Sequence, residues 1–397
     1  MKTVIHYKAG SYLPITETWI HEQIKNLKKY QTVVYAHDKE NMDIFPLGNI
    51  KIRSLELKKG LRDPFIFFNE GWNKVFNFYP YFAFNLIKDR PKLVHAHFGP
   101  SGYNFLKLQK IFKLHLITTF YGYDLSMLPN QYPEWKARYN KLFQEGEKFL
   151  LEGSHMKKCL IDLGCPEEKI IVQHLGIDLE KIEFKPRKIG ENEAIKILIS
   201  ASFREKKGIP YAVEAFGRVK QAHPKLKLKL TIIGDSRGTP AEEKEKKKIL
   251  DVIDKYNIKD CVKMFGYQPY SVFLRELYRH HIFLHPSVHA FDGDTEGGAP
   301  VSIIEASASG MPVLSTTHCD IPEVVIDGGS GYLVPERNTE ALAERLEFLI
   351  CHPEVWEQMG GKGREHIEKN YNVIAQVGKL EEIYDMIVEG EKGNGRH

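Results

Sequence analysis

Residues 292–316 read DGDTEGGAPVSIIEASASGMPVLST, and this stretch decides how the rest of the chain is interpreted. Val301 and Ile304 begin an apolar pattern at helical spacing, Pro300 suits the first turn of a helix, and Gly310 is a stop signal. The run that follows the stop is short and apolar, as in a buried strand. The stretch therefore predicts a carboxylate-rich turn, a glycine corner, a short helix and a buried strand.

Gly297 and Gly298 lie just before the predicted helix, and Glu305 lies within it. The start of a helix offers unpaired N–H groups and the positive end of the dipole, which suits a phosphate, and glycines let that phosphate approach closely. A carboxylate one or two turns further along can accept hydrogen bonds from the hydroxyls of a sugar or a ribose. On spacing alone, the alternative is an ordinary loop and helix with solvated acidic side chains.

Short apolar runs alternate with longer amphipathic ones along the chain, which predicts an α/β fold with parallel sheets flanked by helices. One series of strands is predicted at residues 3–6, 32–35, 93–96, 116–119 and 170–173. A second series is predicted at residues 195–201, 228–233, 262–265, 282–284 and 313–315. A polar linker containing Pro and Gly, residues 183–194, separates the two series, and 397 residues are enough for two packed domains.

The composition is that of a soluble globular protein. There are 56 basic and 52 acidic residues, and this net charge of +4 is too small to indicate a nucleic-acid partner. Five cysteines without a CxxC pair fit a reducing cytoplasm better than a disulfide framework. The sequence shows no signal peptide and no run of 18 apolar residues, so any membrane contact is expected to be peripheral, at the inner face of the cell membrane.

The stretch 292–316 resembles the paired-glutamate signature of retaining GT-B glycosyltransferases of the group 1, family 4 type. In that signature a Glu, small residues, an apolar run and a second Glu-Ala precede a Gly-x-Pro-Val strand. The resemblance implies two Rossmann-like domains facing across a cleft. Residues 1–185 would form the acceptor side, 186–375 would bind the nucleotide sugar, and the C-terminal helix 376–397 would pack back on the first domain. The resemblance also marks FLL, residues 149–151, as a strand.

In the resembled family the second glutamate binds the ribose of the nucleotide, and the first region holds the donor sugar, partly through backbone N–H groups. By this resemblance Glu305 is placed on the ribose and Glu296 near the sugar. Further donor contacts are expected from Gly297, Gly298, Ala299 and Pro300, and from Tyr267 in a loop that frames the base. Eight residues separate the two glutamates here, where the family usually has seven, so the Gly-Gly corner must absorb one extra residue.

Arg204, Lys207 and Gly208 follow a predicted strand and precede a helix that begins near Pro210. Cations at this position suit a diphosphate, because fixed positive charge stabilises the developing negative charge of a leaving group. In the resembled family an Arg and a Lys bind the diphosphate here. Lys207 matches directly, and Arg204 is a shifted substitute. The alternative is a solvated run of charge.

The first domain carries the remaining candidate site residues. Gly10 lies in a flexible corner before a helix opened by Thr16-Glu17, and it is expected to contact the donor unless the corner is a plain turn between strand and helix. His97 ends a His-Ala-His-Phe-Gly pattern that the family places at the lip of the cleft, on the acceptor side. Tyr121 stands where many relatives have a histidine near the donor sugar, and Asp124 is available to bind or orient the acceptor.

Two pairs of residues raise the question of a metal ion. His95 and His97 lie on the same face of a strand, but the sequence shows no further ligand cluster nearby. Asp292 and Asp294 form a D-x-D, which binds a divalent ion in another glycosyltransferase class, whereas GT-B enzymes generally need none. We therefore expect no metal and no cofactor, and interpret both acids as loop residues.

About half of residues 65–84 are aromatic, and lysines and arginines flank them. Such a segment suits an interface with lipid headgroups, or stacking against the sugar rings of an acceptor. The alternative is a large helix buried against the sheet, because Phe is chiefly a core residue.

Together these patterns predict a retaining hexosyltransferase. It would move a hexosyl unit from a nucleoside-diphosphate sugar to a hydroxyl of a glycan or lipid-linked acceptor, in the assembly of bacterial surface polysaccharide or lipopolysaccharide. Two alternatives remain. One is a sugar-nucleotide epimerase of the same fold, which needs no acceptor, and the other is a non-catalytic partner subunit that binds nucleotide sugar.

Overall fold

The computed structural model describes residues 1–14, 17–46 and 48–390. Contacts divide the chain into two compact units: unit 1 contains Met1–Ile177 and the chain from Val373 onward, and unit 2 contains Asp178–Asn372. The first boundary between the units lies between residues 177 and 178, whereas the sequence analysis placed it between 185 and 186. The chain re-enters unit 1 at residue 373, whereas the sequence analysis placed this point at 376. Thr16 and the last seven positions of the predicted helix 376–397 lie outside the described residues.

Unit 1 is built on a seven-stranded, all-parallel sheet with the order β3-β2-β1-β4-β5-β6-β7. Its strands are β1 (Lys2–Tyr12), β2 (Tyr30–Lys39), β3 (Lys51–Ser54), β4 (Leu93–His97), β5 (His115–Thr119), β6 (Lys148–Leu151) and β7 (Ile170–Val172). The central strands are buried on both faces because helices cover both sides of a parallel sheet. The helices are α1 (Thr18–Lys25), α2 (Pro64–Phe76), α3 (Pro80–Asp89), α4 (Gly99–Phe112), α5 (Met127–Gln131), α6 (Glu134–Glu145) and α7 (Ser154–Asp162).

Unit 2 contains a six-stranded, all-parallel sheet with the order β10-β9-β8-β11-β12-β13. Its strands are β8 (Ile195–Ser200), β9 (Leu228–Ile233), β10 (Val262–Met264), β11 (Ile282–His285), β12 (Val313–Thr316) and β13 (Gly331–Val334). Its helices are α8 (Ile209–Ala222), α9 (Pro240–Lys255), α10 (Tyr270–Leu277), α11 (Val301–Ala308), α12 (Ile321–Val324), α13 (Thr339–Cys351) and α14 (Trp356–Asn370). Both units are Rossmann-like, as the sequence predicts.

The strand order places a switch point in the middle of each sheet. In unit 2 the chain runs from β8 outward to β9 and β10, and then returns to β11 on the other side of β8. Successive connections therefore leave β8 and β11 in opposite directions, and a crevice opens at the carboxyl ends of these two strands, where open α/β sheets bind ligands. In unit 1 the equivalent position lies between β1 and β4.

The last helix, α15 (Val373–Gly390), packs on the sheet of unit 1. Leu380, Tyr384 and Ile387 join a buried cluster with residues of β1, β4, β5 and β6. The Glu381 carboxylate accepts hydrogen bonds from the backbone N–H groups of Lys28 and Lys29, 353 and 352 residues away in sequence. These contacts hold α15 on the sheet. Among the described residues, none of the helices combines the length and the apolarity needed to cross a bilayer.

Candidate functional site

The two stretches singled out in the second half of the sequence meet at the switch point of unit 2. β8 leads into residues 201–208, and β11 leads into residues 286–300. The backbone N–H of Val288 donates to the carbonyl of Lys206 at 2.8 Å, which joins the two loops directly. The loops therefore lie against each other at the edge of the sheet where ligands of this architecture bind.

Gly208 makes this approach possible. It has φ 63°, and a Cβ at this position would lie 1.8 Å from the carbonyl oxygen of Pro286. Any other residue would be strained in this conformation and would also clash with the neighbouring loop. Gly208 therefore fixes the turn between Lys207 and the start of α8.

Ion pairs join the loops on either side of Gly208. Lys207 Nζ lies 2.8 Å from Glu296 Oε2, and the Arg204 guanidinium contacts the Asp294 carboxylate. Lys206 Nζ lies 3.3 Å from Asp294 Oδ1, and its side chain is almost fully buried. The Lys207 and Arg204 side chains keep 17% and 34% of their surface exposed. The sequence analysis placed only the cations at the diphosphate and did not pair them with Glu296 and Asp294, whereas three cations and two carboxylates give this corner a formal net charge of +1.

Glu296 is held from three sides. Besides its contact with Lys207, its second carboxylate oxygen accepts a hydrogen bond from Ser287 Oγ at 2.9 Å. Its backbone N–H donates to His318 Nε2 at 3.1 Å. Burial acts to raise the pKa of Glu296, but the charges of Lys207 and Lys206 outweigh burial and hold that pKa well below its ordinary value. Glu296 is therefore a fixed carboxylate that positions Lys207.

The Gly-Gly corner has a conformation that suits glycine, and its absorbing an extra residue between the two glutamates stays a prediction. Gly297 has φ 73°, a left-handed conformation that favours glycine, and both Gly297 and Gly298 are buried. Ala299 and Pro300 are half-buried, and Pro300 is the residue that caps the start of α11. The predicted order of corner, short helix and buried strand is thus present, with α11 followed by β12.

Glu305 lies in the second turn of α11, with its carboxylate buried against Tyr270. The Tyr270 hydroxyl donates to Glu305 Oε1 at 2.6 Å. Burial raises the pKa of Glu305 to about 7, and the hydrogen bond from Tyr270 opposes this rise. Glu305 therefore changes charge near neutral pH. The sequence analysis missed Tyr270, although its place just after the predicted base-framing loop of Tyr267 was a usable signal.

Tyr267 lies on the loop that follows β10 and is more than half exposed. The N–H of Gly234, at the end of β9, donates to the carbonyl of Gly266 at 2.8 Å, so the loops after β9 and β10 are tied together. Both are at the carboxyl edge of the sheet that carries Lys207 and Glu296. A role for Tyr267 at a nucleotide base stays a prediction.

His289, His318 and Glu336 lie close enough together to suggest a metal site that the sequence analysis did not predict. Both imidazole Nδ1 atoms lie 2.7 Å from Glu336 Oε1. His318 Nε2 accepts the N–H of Glu296, so the proton of this ring is on Nδ1 and is donated to Glu336. A metal ion bound at His318 Nδ1 would require the loss of the Nδ1 proton while Nε2 still accepts the N–H of Glu296, so the ring would have to lose both of its N–H protons. His289, His318 and Glu336 therefore form a hydrogen-bonded group that supports the backbone of Glu296.

Asp294 and Asp292 do not form the paired ligand set of a D-x-D motif. Asp294 is buried against Arg204 and Lys206, and its N–H donates to the exposed Asp292 carboxylate at 3.0 Å. Asp294 therefore has a defined ion-pairing role, and describing it as a loop residue was incomplete.

In unit 1 the structure assigns Asp124 a structural task instead of the expected contact with an acceptor. Asp124 is fully buried, and its two oxygens accept the backbone N–H groups of Gly99 at 2.8 Å and Tyr121 at 2.9 Å. Gly99 is the first residue of α4, so the carboxylate caps this helix. Burial raises the pKa of Asp124 to about 6. The side chain is thus committed to holding the loop after β5 against α4.

His97 is also buried and does not lie at an exposed lip. His97 Nε2 lies 2.9 Å from His6 Nδ1, and His97 Nδ1 lies 2.7 Å from the Tyr121 hydroxyl. Burial lowers the pKa values of His6, His95 and His97, which keeps the three rings neutral. His95 uses both ring nitrogens for hydrogen bonds of 2.6 Å, so this group of three histidines is a hydrogen-bonded network in the core.

Gly10 lies in β1, where the register with β2 shifts between Lys8 and Ser11. It has φ 137°, and a Cβ there would meet no described atom within 4 Å. Its expected contact with the donor stays a prediction.

A cavity of about 790 Å³ in unit 2 contains none of the predicted residues; it lies at the opposite, amino-terminal edge of the sheet, near Lys196, Lys229 and His281. Size alone therefore does not identify the site.

Comparison with protein families matches both parts of the chain. The model described as glycosyl transferases group 1 matches residues 181–366, and the model described as glycosyltransferase family 4 matches residues 17–181. Together the matches extend from residue 17 to residue 366 and include the paired loops of unit 2.

Individual proteins show the same similarity. The chain is 34% identical over 283 residues to a Salmonella typhimurium protein provisionally named colanic acid biosynthesis glycosyltransferase WcaL, covering 70% of this chain and 66% of that protein. It is 37% identical over 253 residues to the amylovoran biosynthesis glycosyltransferase AmsK of Erwinia amylovora, covering 63% and 59%. The matches thus span less than two thirds of each relative. The structure of Anabaena HepE in complex with UDP and glucose superposes with a TM-score of 0.75 at 14% identity, over 97% of this chain and 100% of that one. This likeness shows the GT-B fold.

Proposed function

The chain belongs to the glycosyl transferases group 1 family, and from this premise we propose that it moves a hexosyl unit from a nucleoside-diphosphate sugar to a hydroxyl group, with retention of anomeric configuration. The acceptor that we propose is a glycan or lipid-linked glycan of a bacterial surface polysaccharide. Colanic acid and amylovoran in the names of similar proteins support this class of product. UDP and glucose in the HepE structure support this class of donor.

One observation carries the proposal: the cationic loop after β8 and the glycine corner before α11 converge at the switch point of unit 2. Lys207 and Glu296 are 89 residues apart in sequence, yet their charged groups are 2.8 Å apart. A diphosphate in this crevice would meet two cations from one loop and the free backbone N–H groups at the start of α11 from the other. Two independent features suited to phosphate thus lie together.

Lys207 and Arg204 are the cations that we assign to the leaving group. Both keep exposed surface, whereas Lys206 is closed off against Asp294. The negative charges of a diphosphate would compete with Glu296 and Asp294 for these two cations. As the bond between the sugar C1 and the β-phosphate oxygen breaks, its electron pair stays on that oxygen, and Lys207 and Arg204 stabilise the added charge. We propose that this stabilisation replaces the need for a metal ion.

Glu305 is the residue that we assign to the ribose. An ionised carboxylate accepts hydrogen bonds from two hydroxyls, whereas a protonated one accepts fewer and donates one. Since the pKa of Glu305 is raised to about 7 by burial, ribose binding is expected to favour the charged form. The Tyr270 hydroxyl holds the Glu305 carboxylate in place by donating a hydrogen bond to Oε1.

Retention follows if the acceptor attacks on the face from which the diphosphate leaves. The acceptor oxygen forms the new bond to C1, and its proton passes to the departing β-phosphate oxygen, so no protein nucleophile is required. Asp124 takes no part in this scheme, because both of its oxygens accept backbone N–H groups within unit 1. We place the reaction at the inner surface of the cell membrane, where lipid-linked acceptors would be available.

A two-stage experiment tests the proposal. Thermal shift with UDP, GDP and ADP first identifies the nucleotide, because a ligand that binds only the native state raises its stability. Transfer from the matching sugar nucleotide to a lipid-linked acceptor is then measured for wild type and Lys207→Ala. We expect Lys207→Ala to lower kcat by about 100- to 1,000-fold, the loss typical for one preorganised charge-stabilising group. Product analysis by NMR reports the anomeric configuration.

Lys244→Ala is the matched control, because Lys244 is an exposed lysine on α9 of the same unit. It should leave turnover and nucleotide binding unchanged. Normal turnover by Lys207→Ala would contradict the assignment of this cation. A product with an altered sugar and no acceptor consumed would show an epimerase, and nucleotide-sugar binding without turnover would show a partner subunit.

A further inference from the structure

The aromatic segment of unit 1 forms two helices with an exposed apolar surface, instead of one large buried helix. Residues 77–79 separate α2 from α3, and Asn77, with φ 57°, ends α2. Five of the seven exposed phenylalanines in the described residues lie on this hairpin. These five phenylalanines and three nearby aliphatic residues have side chains that are between 44% and 74% exposed: Leu61, Phe65, Phe67, Phe68, Val75, Phe76, Phe84 and Ile87. Contiguous apolar surface of this kind marks an interaction site.

The most exposed apolar residues of α2, Phe67, Phe68 and Val75, lie on one side of the helix, and a row of aromatic rings runs along the edge of this side. Phe65, Phe68, Trp72 and Phe76 follow each other at spacings of three, four and four residues, as positions on one side of a helix do. Neighbouring rings contact: Phe68 and Trp72 centroids are 6.0 Å apart, and Trp72 and Phe76 centroids are 4.4 Å apart. The buried residues Ile66 and Asn69 lie on the side of α2 that is opposite Phe67 and Val75. α2 is thus an amphipathic helix with its aromatic face outward.

The charges near this face are positive on balance, because residues 62–92 contain five basic and three acidic side chains. Of the three acidic side chains, Asp89 pairs with Arg53 at 2.9 Å, whereas Glu70 accepts from the neutral Tyr79 hydroxyl at 3.1 Å and Asp63 caps α2, so these two still count as negative charges. By contrast, four cations near the hairpin form no ion pair with any residue that the structure describes: Arg62, Lys74, Arg90 and Lys92. Lys88 lies over the Phe84 ring at 4.2 Å, with its stem along the apolar surface.

We propose that the α2–α3 hairpin is a membrane-docking surface that inserts its aromatic face into a bilayer containing anionic lipids. An apolar face rich in Phe and Trp beside unpaired Lys and Arg is the pattern of helices that lie in the plane of the interface. The 13 residues of α2 make a contact about 20 Å long. A protein partner would also cover apolar surface, but the unpaired cations around it match the phosphate layer of an anionic bilayer.

The inference deepens the proposed function, because a lipid-linked acceptor is presented at a bilayer surface. It does not require glycosyl transfer, so vesicle binding is measured without donor or acceptor. Lys207→Ala, which should lose turnover, should bind vesicles as wild type does. A failure of either idea is therefore visible without the other.

The test is flotation with vesicles of phosphatidylcholine alone or with 30% phosphatidylglycerol (roughly the negative-lipid level of an anionic membrane). We expect wild type to float with the anionic vesicles. Phe67→Ser with Phe68→Ser should lower the partition constant by about 100-fold, because partial burial of each ring is worth about 1.4 kcal/mol, or tenfold. Arg62→Gln with Lys74→Gln should lower it by about 25-fold on anionic vesicles only, at about fivefold per cation.

Ile111→Ser is the matched control, since Ile111 is an exposed aliphatic residue on α4 of the same unit. It should float as wild type does. A thermal melt of each variant checks folding, which the exposed side chains of Phe67 and Phe68 should not disturb. Quenching of tryptophan fluorescence by brominated lipid gives a second readout, which Trp72→Phe should diminish.

Three results would overturn the proposal. Wild type could remain with the unbound protein for both vesicle types. The phenylalanine variants could float as well as Ile111→Ser. Light scattering could show that the phenylalanine substitutions dissociate a dimer without changing vesicle binding, which would make the hairpin an interface between copies of this chain.

Discussion

Replacing Glu296 by Gln tests the ion pair on which the proposed site depends. Lys207 Nζ and Glu296 Oε2 are 2.8 Å apart, and at an effective dielectric constant of about 20 two such charges attract by about 6 kcal/mol before desolvation is considered. Breaking a buried pair by removing one partner costs about 3–5 kcal/mol. The Lys207 side chain keeps some exposure, so the lower end applies. We expect Glu296→Gln to lower the free energy of unfolding by about 3 kcal/mol.

The same substitution should strengthen the binding of a free nucleoside diphosphate. In the wild type the Glu296 carboxylate competes with any anion for Lys207, and the corner has a formal charge of +1. In Glu296→Gln that charge becomes +2, and Lys207 has lost its competitor. We expect the Kd for the nucleotide found by thermal shift to fall by about tenfold, which corresponds to about 1.4 kcal/mol. The variant should thus be less stable when empty and gain more from ligand.

Calorimetric titration and thermal melts with and without nucleotide measure both effects. A loss of about 3 kcal/mol should lower Tm by about 6–12 °C in a unit of this size. Asp292→Asn is the control, because it removes one negative charge from the same loop, where the Asp292 side chain is exposed and forms no ion pair with a described residue. An unchanged Tm for Glu296→Gln, or a nucleotide Kd no lower than that of Asp292→Asn, would refute this account of the corner.

Two further predictions concern Gly208 and Glu305. Gly208→Ala should lower the free energy of unfolding, measured in urea, by about 3 kcal/mol, because a Cβ would lie 1.8 Å from Pro286 O. Gly238→Ala is the control: Gly238 has φ 85° and open space around it, so this variant should lose only about 1 kcal/mol. Equal losses for the two variants would contradict the packing argument. Nucleotide affinity should rise from pH 6 to pH 8 more in wild type than in Glu305→Gln, because burial raises the pKa of Glu305 to about 7 and the charged form is the better acceptor. The stability of the protein should change with pH in the opposite direction. Because a raised carboxyl pKa favours the neutral form in the folded state, the contribution of Glu305 to the free energy of unfolding is full below about pH 4.5 and is lost as the pH rises through 7. Parallel pH profiles of binding for the two proteins would argue against Glu305 as the ribose acceptor.

The α/β fold could be read from the sequence because buried parallel strands are short apolar runs between turn signals. Every predicted strand overlaps a strand of the structure. The two strands that were not predicted, β3 and β13, are edge strands, each paired on one side only. An edge strand is less completely buried, so KIRS in β3 contains a single apolar residue and lacks the continuous apolar run of a central strand.

The convergence of the two loops in unit 2 was also predictable, whereas the bonds within it were not. The resemblance placed Lys207 and Glu296 at one ligand, and strand order explains why their loops meet. That Glu296 binds Lys207 depends on side-chain positions 89 residues apart, and no local pattern carries that information. Likewise, nothing in the sequence around Asp124 distinguishes a carboxylate open to an acceptor from one that caps a helix.

The carboxylates of the corner resolve a conflict between stability and binding. A diphosphate site needs cations, but unpaired cations in a partly buried site would destabilise the empty protein. Glu296 and Asp294 neutralise them, at the expense of weaker anion binding. Lys206 is buried and pairs with Asp294, so it keeps that partner whether or not an anion is present, whereas Lys207 and Arg204 are partly exposed and can turn to an incoming anion. The response to a leaving group must therefore come from Lys207 and Arg204, and Lys206 should matter for folding instead.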